Sequence, residues 1–165
     1  MRYNWITMSK EPGSAKPTLS PFAGGIKLPP QNIEAEISTL GALMLDSNAV
    51  IRVTDILKPE DFYRPPHQTI YSIVIDLFER HQPIDVLSVS SRLKEKGFLE
   101  GIGGTAYLTD LVNAVPTSSN VAHYAEIVRK KKILRDLITA SSEIAELGYK
   151  EGEEVEELLD SVERK

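Results

Sequence analysis

Residues 121–147 read VAHYAEIVRKKKILRDLITASSEIAEL. Val121, Tyr124, Ile127, Val128, Leu134, Ile138, Ile144 and Ala145 recur at intervals of three and four, which sets them along one side of an α-helix, and neither Gly nor Pro breaks the run. About 27 residues at a rise of 1.5 Å each give a rod of roughly 40 Å, longer than the body of a small domain. Its apolar positions need a cover, and the sequence that follows offers one. A turn from Gly148 to Gly152 leads to an acidic start at Glu153, Glu154, Glu156 and Glu157, then to Val155, Leu158, Leu159 and Val162 on one face. Together these segments predict a projecting helical hairpin over 119–165, with its second arm cut short at Lys165. A hairpin with an open apolar edge suits pairing with another molecule, while folding of both helices back onto the domain is the competing arrangement.

Upstream, residues 28–118 read as a globular helical domain. Asn32 is placed to cap a helix carrying Ile33, Ile37, Leu40 and Met44, which ends at Asp46-Ser47. A second helix is expected from Asn48 to Leu57, stopping before Pro59. Pro65-Pro66 opens a third, with Ile70, Val74, Leu77 and Phe78 on its apolar face. Asp85 caps a fourth, which closes with Lys94, Lys96 and the left-handed turn of Gly97. Gly101, Gly103 and Gly104 form a loop, and Thr105 is expected to cap a short helix through Leu108 and Leu111. No alternation of strand type extends beyond a few residues, so the class is all-α, with Leu40 and Val74 in its core.

Composition narrows the function. The chain has 165 residues, no cysteine and a net charge of -5. Disulfides and thiolate metal sites are therefore excluded, and a reducing cytoplasm suits the chain. An acidic chain is a poor main surface for duplex DNA, whose affinity comes largely from neutralised phosphates, and the balance favours a protein partner. No apolar run approaches the roughly 18 residues that span a bilayer, so no membrane association is expected. Residues 1–27, with Pro12, Pro17, Pro21, Gly13, Gly24 and Gly25 among Ser and Lys, are expected to be a disordered leader.

No catalytic constellation emerges. The glycines before Thr105 lack the preceding strand, the lysine and the spacing of a Walker A loop, and a tight turn explains them. His67, His81 and His123 lack ligand spacing; His67 and His81 are expected to be surface or capping groups. Glu60 and Asp61 are neighbours in sequence and so diverge, as first-turn acids do. No catalytic, cofactor-binding or metal-binding residue is assigned. Arg129, Lys130, Lys131, Lys132 and Arg135 form the one basic cluster, either a solvated helix face or a contact for an acidic partner or nucleic acid.

Particular phrases carry a resemblance. Pro29-Pro30-Gln31-Asn32-Ile33-Glu34-Ala35-Glu36, Leu40-Gly41-Ala42-Leu43-Met44-Leu45-Asp46, and Leu57-Lys58-Pro59-Glu60-Asp61-Phe62-Tyr63-Arg64-Pro65-Pro66-His67 stand in order. Gly103-Gly104-Thr105-Ala106-Tyr107-Leu108, Val115-Pro116-Thr117 and His123-Tyr124-Ala125 follow. From about residue 28 onward the chain resembles the N-terminal domain of DnaB-type replicative DNA helicases. The resemblance implies a non-catalytic domain whose hairpin pairs with another subunit in a hexameric ring and which binds primase, with helicase loader as a further partner. It also implies that ATP, magnesium and most DNA contacts belong to a separate C-terminal RecA-like domain. The positions matching the family's primase contacts are Val121 and Ile127; six residues apart, they do not share one stripe, which leaves one of them to the fold. A free-standing module that regulates helicase assembly or primase recruitment is the alternative.

Overall fold

The computed structural model describes residues 28–149. The leader and the second arm of the hairpin, expected over 153–162, lie outside the described residues. Those described form five α-helices, α1 (Ile33–Leu45), α2 (Pro65–Glu79), α3 (Val86–Glu95), α4 (Gly104–Asn113) and α5 (Val121–Leu147), with short 3-10 turns between them and no strand.

Helix α1 is the centre of the fold. The Asn32 side chain accepts from the Ala35 N–H at 2.9 Å, satisfying a donor that the first helical turn leaves free. Replacing Asn32 with Ala should therefore cost about 1 kcal/mol, read as a lowered denaturation midpoint at constant slope. Further along, Thr39 through Met44 are all buried, because α1 is covered by α5 on one side, α4 on another and α2 on a third. Such a helix is apolar nearly all round, which explains the run Leu40-Gly41-Ala42-Leu43-Met44 better than a single stripe does. Gly41 marks the contact with α4: a Cβ there would lie 2.1 Å from the Leu111 carbonyl oxygen. Leu40 and Val74 are completely buried, as their spacing predicts.

The segment expected as a helix from Asn48 to Leu57 is instead a 3-10 helix, Ser47–Arg52, followed by turns. The Asp46 carboxylate accepts from the Asn48 N–H, and bonds such as Val53 N–H to the Val50 carbonyl tighten the path. Val50, Ile51, Val53, Thr54 and Ile56 are β-branched, which lowers helix propensity, and the stretch is too short to offset nucleation. Val50, Val53 and Leu57 still reach the core.

Helix α2 starts at Pro65 after an extended Arg64, the conformation that a following proline imposes. It buries Ile70, Tyr71, Ile73, Val74 and Leu77. The Tyr71 hydroxyl donates to the Leu57 carbonyl, and burial, with the nearby Asp61 charge, pushes it well above the usual phenol range, so it remains a donor. Asp76 ties α2 to α3: it accepts from Arg92 at 2.7 Å and from Arg80 at 3.2 Å. Those bonds, Arg92's first, hold its carboxyl down at about 2. Asp85 caps α3 through the Ser88 N–H, and Gly97 takes a positive φ of 75° beyond it. Thr105 does not cap α4. The cap is Gly103, at a φ of 103° that glycine alone adopts freely, and Thr105 lies inside the first turn.

Candidate partner-docking surface

Helix α5 has 27 residues and two distinct halves. Its N-terminal half belongs to the core, where Val121, Ala125 and Val128 are buried against the head formed by α1–α4. Of the two residues matched to partner contacts, Val121 is wholly enclosed, and Ile127 is half-buried, packed along the edge of the core. The structure thus separates the pair, as their six-residue spacing requires.

Beyond Arg135 the helix leaves the head. Between 136 and 147 all residues except Ala140, Glu143 and Leu147 are exposed. Leu137 is 58% exposed and Ile138 54%, and Ile133, Leu134 and Ile144 extend the apolar surface. Scattered exposed apolar residues are ordinary; five on three successive turns of one helix mark a surface that gains from being covered.

The basic cluster is divided by the fold. Arg129 donates from Nη1 to the carboxylate of Asp61, 2.7 Å away and 1% exposed. Arg135 donates through Nη1 to the Pro30 carbonyl at 2.9 Å and through Nη2 to the Asp61 carbonyl at 2.6 Å, and its guanidinium lies over the Tyr63 ring. Lys132 pairs with Asp136 one turn on. The two arginines are therefore fastened to the head, and Lys130 is left on the solvated face. Asp61 serves the fold as well, since its carboxylate accepts from the Lys58 N–H at 2.8 Å and closes the 3-10 turn Pro59–Asp61.

His67 is not a surface or capping group. It is completely buried, with Nδ1 2.6 Å from a Glu36 carboxylate oxygen and Nε2 2.6 Å from the Tyr107 hydroxyl. Glu36, itself 1% exposed, also accepts from the N–H groups of Tyr63 and Arg64. The Tyr107 ring stacks on the imidazole, and its hydroxyl accepts from Arg64. Five residues, from α1, α2, α4 and the loop before α2, thus form one satisfied polar network centred on the buried pair Glu36 and His67. The sequence carries a signal for this burial: His67 precedes Tyr71 and Val74 by one and two turns, on the stripe that faces the core.

Among the described residues no three potential metal ligands converge, and no helix is long and apolar enough to cross a membrane. A groove between α2 and α3 is lined by Leu77, Arg80, Pro83, Leu87, Arg92 and Glu95, but both its arginines are engaged by Asp76.

Comparison with known proteins agrees with this architecture. Residues 28–130 match the family model described as the DnaB-like helicase N terminal domain. The chain is similar to the replicative DNA helicase DnaC of Bacillus subtilis (strain 168), 46% identical over 138 residues. That match takes in 84% of this chain but 30% of the relative, so the chain spans under a third of that protein's length. The N-terminal domain of DnaB helicase from Mycobacterium tuberculosis superposes with a TM-score of 0.79 at 40% identity, covering 83% of this chain and 96% of that one. A DnaB-like replicative helicase described together with its interactions with primase superposes with a TM-score of 0.65 at 27% identity, covering 81% of this chain and 31% of that one. By sequence and by fold, then, the chain belongs to the family of DnaB-like helicase N-terminal domains.

Proposed function

We propose that the chain serves as the assembly and docking part of a replicative DNA helicase, pairing with a second copy and receiving primase along the hairpin that begins with α5. The observation that carries this reading is the apolar surface of α5 past Arg135, exposed on a helix that the head holds only at its root. A second amphipathic helix over 153–162, paired across two subunits, would cover part of it and leave a composite edge for primase or a helicase loader. The primase interactions described for a similar helicase support the choice of partner. ATP hydrolysis with magnesium, and most contacts with DNA, would fall to a separate RecA-like domain, and the assembly would work in the cytoplasm.

Light scattering of the chain, alone and with the C-terminal domain of the cognate primase, tests this. A dimer alone and a stoichiometric complex with primase are expected; a monomer that ignores primase at tens of micromolar would refute the proposal. Residue-level tests follow from the exposures. Ile127→Asp and Ile138→Asp should each weaken self-association or primase binding tenfold or more, equivalent to about 1.4 kcal/mol, because a buried unpaired carboxylate is costly. Ile138 stands clear of the head, so its variant should fold even if the half-buried Ile127 proves to support the core. Lys94→Asp, at an exposed position of α3, is the control. Parent-like binding by a folded Ile138→Asp chain would mean that this face of the helix does not touch the partner.

A further inference from the structure

The root of α5 is built as a clamp. Arg135 is half-buried just before the exposed run 136–139, and its planar guanidinium spans two backbone carbonyls from separate parts of the head, those of Pro30 and Asp61. The same group rests on the Tyr63 ring at 5.7 Å from its centre. Six residues earlier, Arg129 reaches the side chain of that same Asp61. One segment, residues 61–63, therefore holds α5 at two points on successive turns. It is itself held from inside: Glu36 accepts the Tyr63 N–H at 2.6 Å and binds His67.

From this geometry we infer that Arg135, with Asp61 and Tyr63, positions the partner-docking surface by fixing the direction in which α5 leaves the head. Core packing cannot do this alone, because the last buried residue of α5 is Val128, two turns before the exposed portion starts. The twelve residues from 136 to 147 make a lever of roughly 18 Å, so a deflection of about 10° would move its tip by about 3 Å. An interface between two such arms depends on matched packing, and a shift of that size breaks it. Arginine is suited to the task where lysine is not: its rigid fork meets two acceptors at once and its flat face stacks on a ring. The inference rests on the hairpin being the docking surface, but the clamp can be measured without a partner.

The chain has no cysteine, so Ser91→Cys on α3 and Ser142→Cys on α5, both exposed, would take spin labels at two defined places. Dipolar distance measurements, with a tenfold excess of unlabelled chain to isolate distances within one molecule, then read the angle between arm and head. In the parent background a single narrow distribution is expected. Arg135→Ala should leave far-ultraviolet dichroism unchanged and at least double the width of that distribution; Arg135→Lys, limited to one carbonyl at a time, should fall between. A folded Arg135→Ala chain with parent-like width overturns the inference. So does an Arg135→Ala head that unfolds while the Arg135→Lys distribution stays as narrow as the parent's, because the guanidinium then serves stability and not direction. Broadening with primase affinity intact would uphold the clamp and count against the docking surface proposed above; lost affinity at unchanged width would do the reverse.

Discussion

His67→Leu is expected to destabilise the chain by about 3 kcal/mol, the order of cost of leaving a buried carboxylate without one of its hydrogen-bond partners. Leucine fills much of the space and is fully compatible with the surrounding core, so the loss is not one of volume. It arises because the Glu36 carboxylate, itself 1% exposed, loses the Nδ1 contact and has no water to replace it, while the half-exposed Tyr107 hydroxyl loses Nε2. Against a total stability of some 5–15 kcal/mol such a loss is a large share. Glu36→Gln should be milder, because an amide oxygen can still accept from the Tyr63 N–H. Urea denaturation of both variants checks the order. A His67→Leu cost under about 1 kcal/mol would mean that the network contributes little to holding α1, α2 and α4 together.

Gly41→Ala opposes two effects of known size. Alanine favours an exposed helix by up to about 1 kcal/mol over glycine. Here, however, the added methyl would sit 2.1 Å from the Leu111 carbonyl oxygen and 2.8 Å from a Val115 methyl. The nearest atom is backbone, which no rotamer change can move aside, so α1 and α4 must separate along their contact. Overpacking of this kind costs typically 1–3 kcal/mol and at times more, and a carbonyl so close places Gly41 at the upper end. A net loss of about 2 kcal/mol or more is expected, lowering the melting temperature by about 4–8 °C for a chain of this length. A variant that melts at or above the parent temperature would show that propensity wins and that the two helices yield freely.

The features legible in the sequence were those written in local chemistry. Asn32 and Asp85 accept from the N–H groups three residues on, as side chains of their type do at helix starts, and 121–147 lacks any residue that would interrupt it. What escaped was decided by partners distant in the chain. Histidine's usual solvation points His67 to the surface; only the fold brings Glu36, 31 residues away, and Tyr107, 40 away, to its two nitrogens. The basic cluster looked like one patch, yet Asp61 and Pro30 lie 74 and 105 positions from Arg135, and they turn two of its cations into anchors. The 3-10 path after Asp46 was hidden by a hydrophobic spacing that fits both helix types over so few residues. The surface proposed for docking was legible only in outline. Length and periodicity predicted a projecting helix, but not which of its apolar residues the head would cover.

The burial of Val121, Ala125 and Val128 beneath the surface of the head bears on how such an arm could be exchanged between proteins. α1 meets α5 over a longer stretch than any other helix, so a cut at residue 118 would strip the central helix of one of its walls. An arm transplanted from a relative would have to bring its first two or three turns with it, together with matching side chains at 61 and 63. On the docking role proposed above, the arm past residue 135 is the part freest to vary, and a chimera joined there should keep its head while adopting much of the donor's partner preference.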